Sequence, residues 1–522
     1  MQSLELPPPF AGIRQSIPKI AIEHPYCETL HNFTTQQEGV SVRFGDKKFV
    51  AFDQAAAGSQ PLLLSTYGDS KAFISTYNAT TTQIEIFDEA GSSAYSPAGA
   101  YSGTPPATLY INKYLWFFPN SAIVGPFYYN GSTFGVGGGF TGPSIAFGGD
   151  VYNERAYLLD LSNPTTYWYG GSKAKGGACT QVDLSLVHEN YSALTSICPV
   201  SLSDSNNSQV LQAFVFANGE TLFYSGLYPD APNWGRVAVA KVGQPVNYHS
   251  WFSYQGDVLL ICDTGLVSLR DLFLKGSEAG ASLILSGEAK ETWKALMKAA
   301  RATYNAAGPL GFGSGGHIRG VWDNQNNKIV VSFPFYLDTS GALTIGSFYF
   351  VYDTITKAWF TQRSHGLDAS KPMVDIARFK NKTITLSSGG TKVMVWEKEG
   401  ATNFTDRAVD DDADTGFDYD LLSAPVRNGR SYVQKCIGLE PIMKSDLYTA
   451  TNWSLVSNFG EYSTANQKIP DQGSVLRKSF ANVGAEAAYI QYRVSGTTVT
   501  DKTIGLQLFG VNFLVNQGAA TR

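Results

Sequence analysis

A polar turn followed by a run of alternating or solid apolar residues recurs along this chain, and it limits the fold to a repeated β architecture. The unit appears in "YGDSKAFIST" near Asp69, "INKYLWFFP" near Asn112, "YNERAYLLD" near Asn153 and "ANGETLFYSG" at Asn218 and Gly219. It appears again in "YQGDVLLICD" near Gly256, "NQNNKIVVSF" near Asn326 and "FKNKTITLSS" near Asn381. Asn, Asp and Gly tolerate the positive φ that tight hairpin turns demand. Several neighbouring units lie roughly 40 residues apart, the length of a four-stranded propeller blade. Two intervals are longer and predict insertions. One small sheet cannot bury both faces, but sheets packed face to face in a ring can, and closure shortens the exposed edges. A β-propeller is therefore the expected fold, with a sandwich array as the competing arrangement.

Composition agrees with a mostly β chain. The 522 residues include 52 Gly, 28 Tyr and 31 Phe, with only 16% charged. That length allows two or three domains. A net charge of -5 gives no support to a large nucleic-acid-binding surface. The opening "MQSLELPPPF" lacks a basic start and an apolar run, which predicts no secretory signal and synthesis in the cytosol. No apolar stretch is long enough to span a bilayer as a helix. The five scattered cysteines (Cys27, Cys179, Cys198, Cys262 and Cys436) include no CxxC pair and argue against a disulfide framework.

Three regions break the β rhythm. Residues 1–45 read as an extended arm, because Pro7, Pro8, Pro9 and Pro18 oppose regular structure. "GEAKETWKALMKAARATY" (287–304) reads as a helix inserted near 286–305, with Ser286 as its N-cap. Trp293, Leu296, Met297, Ala300 and Tyr304 form its apolar stripe. Lys290, Lys294, Lys298 and Arg301 form a basic stripe, read first as a solvated face and second as a contact with a neighbouring subunit or nucleic acid. "TDRAVDDDADTGFDYD" is an acidic boundary near residue 405. The expected domains are the arm at 1–45, a propeller over 46–404 and a C-terminal β-sandwich-like domain over 405–522.

No motif carries catalysis or cofactor binding. "GGGFTG" (137–142) fits GxGxxG, but a dinucleotide site needs a following helix, and "PSIAFGGDVY" reads as strand. "SKAK" (172–175) fits SxxK without its partner motifs. His24, His31, His188, His249, His317 and His365 are far apart and form no zinc pattern. Asp410, Asp411, Asp412 and Asp414 suggest a calcium loop, but Thr415 and Leu421 stand where Gly and Glu are required. A propeller glycosidase would need paired carboxylates, or a Tyr nucleophile with an arginine cluster. Exposed aromatics leave sugar binding open. The expectation is no catalytic, cofactor or metal residues, and a ring of packed sheets that makes or breaks no bonds.

Linked blocks also resemble a known family. The segment running from "FAGIRQSIPKI" to "VSVRFG" is similar to the opening of tail nozzle and hub proteins of short-tailed phages, with Asn32, Gly39, Arg43 and Gly45 at the pattern's points. "YWYGGSKAKGGACTQVDLS", "VFANGETLFYSG", "GDVLLICDTGLVSL", "NNKIVVSFP" and "FVYDTITKAWF" follow in the family's order. "FDYDLLSAPVRNGR" resembles its crossing into the C-terminal domain. The resemblance covers most of the chain and implies a structural, non-enzymatic virion tail component assembled in the host cytoplasm. It implies a homohexameric nozzle below the portal and adaptor ring, attached to tail fibres or tailspikes. Double-stranded DNA would pass through without sequence-specific contacts, and there would be no stable membrane insertion. The alternative expectation is a propeller-based glycan-binding or glycan-cleaving phage surface protein.

Overall fold

In a computed structural model, the described residues are 2–6, 11–14, 26–36, 39–43, 47–51, nearly all of 59–276, 289–304, most of 318–395, and strands lying between 406 and 517. Five free-standing four-stranded antiparallel sheets are blades of a β-propeller. A three-stranded sheet (Trp251–Tyr254, Asp257–Cys262, Gly265–Ser268) and the first four strands of a ten-stranded sheet (Arg319–Asp323, Lys328–Leu337, Leu343–Asp353, Ala358–Arg363) fill two further stations of the ring. In chain order the stations begin with the strands Ser59–Tyr67, Ala107–Ile111, Ala146–Tyr152, Leu194–Asp204, Trp251–Tyr254, Arg319–Asp323 and Met373–Phe379.

The polar turns are hairpins, as their residues require. At Asn112-Lys113, Asn153-Glu154, Gln255-Gly256 and Lys380-Asn381, two residues with positive φ join the first and second strands of a station. This is the geometry of a type I′ turn, whose twist matches that of the strands it joins. The Asn218-Gly219 turn differs, because it joins the second and third strands of the fourth station.

Apolar runs become second strands buried on both faces, as in Tyr114–Phe118 and Asp257–Cys262. Their side chains form cores between neighbouring sheets. Phe73 meets Phe117 between the first two stations, and Tyr167 meets Phe214 between the third and fourth. Leu64 and Ile384 share the core that joins the seventh station to the first. There the N-terminal strand Lys47–Ala51 pairs with Lys392–Val395 as the outer strand of the last blade. The ring is thus closed by a strand that precedes the whole array.

Two expectations need correction. The first 45 residues are not an extended arm where they are described. Gln2–Leu6 pairs with Gln507–Gln517, and the hairpin Phe33–Gln36/Gly39–Val42 joins the same seven-stranded sheet. Cys27–His31 lies between Ala358–Arg363 and Asp418–Ser423, making one sheet continuous from propeller to C-terminal strands. The expected separate C-terminal sandwich therefore shares a sheet with the sixth station. The physical reason is edge satisfaction: the outer strand of that station would otherwise present unpaired amides. Asn32 and Arg43 anchor this junction. Arg43, 1% exposed, donates from Nε to Asn32 Oδ1 (3.1 Å) and from Nη2 to the Arg363 carbonyl (2.9 Å).

Helix α2 (Lys290–Tyr304) buries Trp293, Leu296 and Met297 against the fifth and sixth stations. Trp293 Nε1 donates to the Cys262 carbonyl at 2.9 Å. The basic stripe divides: Lys294 and Lys298 are exposed, while Arg301 donates to Gln244. Ser286 lies outside the described residues. A shorter helix, α1 (Leu269–Lys275), is capped by Ser268, whose hydroxyl accepts from the Asp271 amide at 2.9 Å. Among the described residues no helix is long and apolar enough to cross a membrane.

Candidate functional site

The innermost strand of every station faces the ring axis, and together they line an axial cavity of about 440 Å³. Pockets for small molecules span roughly 300–1,000 Å³. The lining is more polar than a sheet core, for a simple reason. An innermost strand packs one side chain row between neighbouring sheets and turns the next toward the axis. Thr66, Thr108, Ser196, Asp150, Arg319 and Arg378 reach the cavity, with Tyr110 and Trp251 as aromatic walls. Gly320 lets its strand approach closely, since a Cβ there would sit 2.2 Å from Phe252 Cε1.

The ionisable groups differ in their support. Asp375, fully buried, accepts from Arg319 Nη1 at 2.8 Å on both oxygens. It also accepts from the amides of Leu64 (2.7 Å) and Ile376 (2.8 Å). This group ties the first, sixth and seventh stations together. Burial pushes the Asp375 carboxyl up, and the Arg319 charge and the amides oppose that rise. Asp150 has much thinner support, since the Val151 amide donates to its Oδ1 at 2.7 Å. Withdrawal from water pushes its carboxyl up to about 7, against the smaller pull of that amide. Asp150 is the one carboxylate that lines the cavity among the described residues.

The motifs weighed in the sequence lie elsewhere. Residues 137–142 form a loop and a two-residue strand, Phe140–Thr141, paired in parallel with Gly177–Ala178; no helix follows. Phe140 packs on Trp116, so the segment is a packing loop. Ser172 and Lys175 lie in an exposed turn, where the Lys175 ammonium sits 4.9 Å from the Tyr114 ring centre. His31 stacks on Phe348, and its Nδ1 lies 3.1 Å from the Thr361 hydroxyl. The other five histidines, and Asp410 to Asp412, lie outside the described residues. Asp414 begins the short strand Asp414–Thr415. Cys27, Cys179, Cys198 and Cys262 are free thiols. No cluster of three or more His, Cys, Asp or Glu suited to a metal occurs among the described residues.

Sequence reasoning missed the cavity residues, although the turn pattern marks them. Asp150 and Arg378 each stand three residues before a turn asparagine, Asn153 and Asn381, and so near the end of an innermost strand.

No family model and no curated protein matches the chain. Among solved structures it is similar to YCF48 bound to a D1 peptide, at 10% identity and TM-score 0.35, covering 67% of this chain and 98% of that one. It is similar to an exo-β-1,3-galactanase from Phanerochaete chrysosporium with galactose, at 11% identity and TM-score 0.26, covering 90% and 99%. It is also similar to the SapL1 lectin in complex with α-methyl fucoside, at 12% identity and TM-score 0.29, covering 65% and 94%. Likeness at this level does not establish a shared ligand or activity.

Proposed function

We propose that the chain is a binding protein that holds a polar, carbohydrate-like ligand in the axial cavity and does not cleave it. The observation that carries this reading is the lining itself. Hydroxyls, one free carboxylate, two guanidinium groups and the Trp251 and Tyr110 rings converge on one space. Sugars present both hydroxyls and apolar ring faces, which hydrogen-bonding groups and aromatic walls match. Cleavage by paired carboxyl groups needs a second one across the glycosidic bond. Asp375 is unsuited to that part, because it is fully buried and its oxygens already accept from Arg319 and two amides. The test is calorimetric titration of the purified chain with neutral and acidic oligosaccharides, alongside a reducing-sugar assay. Saturable binding without new reducing ends is expected. No binding to any glycan, or turnover, overturns the reading.

A second reading has its own observation. The outer strand of the fourth station, Gly235–Lys241, has no further strand paired to it among the described residues and exposes Val237 and Val239. Leu186 and Val187 are also exposed, and Arg236 donates to the Val187 carbonyl. Apolar edge strands favour pairing between chains. Such an edge supports contact between copies of the chain; joined to the sequence resemblance, the reading is a subunit of a phage tail nozzle, a homohexameric ring that would conduct or retain DNA, meet a portal-adaptor ring and anchor fibres or spikes. Electron microscopy of the purified chain at high concentration tests it. Six-fold rings with a central hole support the assembly, and a strictly monomeric chain removes it.

A further inference from the structure

This inference rests on the binding reading and names the ligand class. We infer that the axial cavity takes an acidic glycan, with the carboxylate of a uronic-acid-type sugar seated on Arg319. Three observations carry it.

The first is the way Arg319 is held. Its guanidinium touches Asp375 through Nη1 alone, and Asp375 is itself fixed by the Leu64 and Ile376 amides. Among the described residues nothing accepts from Nε or Nη2. The side chain remains 24% exposed, and the residue lines the cavity. An arginine anchored by one nitrogen presents its other donors in a fixed plane, the geometry that receives a carboxylate through two hydrogen bonds.

The second is the placement of charge around the ring. Arg319 and Arg378 come from the sixth and seventh stations, which are neighbours. Arg378 already donates from Nη2 to Asn381 Oδ1 at 2.7 Å, so its charge contributes with less freedom to form a new fork. Asp150 comes from the third station, three steps from the sixth in the closed ring. The sixth and seventh stations therefore carry the charge of Arg378 beside the Arg319–Asp375 ion pair, and the opposite side becomes anionic as Asp150 ionises at about pH 7.

The third follows from these two. Above about pH 7, where Asp150 is ionised, a carboxylate beside it would be repelled, whereas the free edge of Arg319 offers it two N–H donors, so a ligand with one acidic end has one orientation. Its hydroxyls then meet Asp150, Thr66 and Thr108. A neutral sugar would leave the free edge of Arg319 to water.

The experiment compares a disaccharide with one acidic end, α-galacturonosyl-1,4-galactose, with its methyl ester and with neutral α-1,4-linked galactobiose on the full chain at about pH 8, where Asp150 is ionised. The acidic disaccharide should bind at least about tenfold more tightly than either uncharged ligand, as expected for a charge-assisted pair of about 1.5–3 kcal/mol. The double variant Arg319→Gln/Asp375→Asn, which removes the guanidinium without leaving a buried charge, should erase that preference. The methyl-ester comparison uses the unmodified chain, so the test stands whether or not the variant folds. Equal binding of all three ligands would overturn the carboxylate assignment while leaving the binding reading intact. A preference that survives in the folded double variant would also overturn it. No binding of any of the three would overturn both.

Discussion

Replacing Asp375 with alanine should loosen the ring where three of its sheets meet. The wild-type carboxylate accepts from Arg319 on the sixth station, from Leu64 on the first and from Ile376 on its own strand, at 2.7–2.8 Å. Alanine removes all of these acceptors together. Losing one partner of a buried ion pair costs about 3–5 kcal/mol, and each buried donor left unmade adds a penalty of about 1–3 kcal/mol in isolation. These terms overlap. Arg319 is 24% exposed and recovers part of its hydration, which places the expected loss near the lower end, about 3 kcal/mol. Asp375→Asn keeps an oxygen acceptor and should cost less, about 1–3 kcal/mol. Urea unfolding gives the global figure, and amide exchange gives the location. Leu64 and Ile376 should lose protection, while amides in Asn207–Phe216, on the far side of the ring, should keep theirs. An alanine variant within about 0.5 kcal/mol of the parent, with Leu64 still protected, would refute the idea that this carboxylate ties the sheets together.

Other perturbations follow from the same geometry. Asp150 binds its proton more tightly in the folded chain, where its carboxyl is pushed up to about 7, than in the unfolded chain. The folded state therefore holds the extra proton between about pH 4 and 7, and stability should fall as pH rises through that window. Asp150→Asn should flatten this part of a melting-temperature profile. Gly320→Val would bring a side chain into the Phe252 ring, 2.2 Å from the new Cβ, and should cost about 1–3 kcal/mol in chemical denaturation. Trp293→Ala would empty the contact with Phe333 and Phe350 and remove the indole donor from the Cys262 carbonyl, for a loss of about 3–5 kcal/mol. Arg43→Met should release the N-terminal hairpin from the sixth station, seen as faster proteolysis near residue 40, since Asn32 and the Arg363 carbonyl lose their donor.

The parts of this fold written in local chemistry were legible in the sequence. Asn112, Asn153 and Asn381 adopt the positive φ their residue type permits, and the apolar runs beside them became buried strands. Trp293, Leu296 and Met297 show a helical spacing that the helix buries. Helix α1 was missed because only seven residues lie between Ser268 and Gly276, too few for periodicity to show. The proline-rich start suggested an arm because nothing local shows that Cys27–His31 will find partners at Thr361 and Leu421. The cavity was hidden for the same reason. Asp150, Arg319 and Asp375 have unremarkable neighbours in sequence, and only ring closure makes Asp375 a partner of Arg319 or sets Asp150 across the axis from it.

The pairing of Lys47–Ala51 with Lys392–Val395 has a consequence for biosynthesis. The last blade receives its outer strand from a segment made more than three hundred residues earlier, so a ribosome must translate nearly the whole array before that strand can dock. Until then the nascent polypeptide carries one unmatched strand at each end of an open arc. Non-local pairing of this kind slows folding and lengthens exposure to wrong partners. A translational pause just before Lys392 would lengthen the life of that open arc, and chaperone occupancy should peak there.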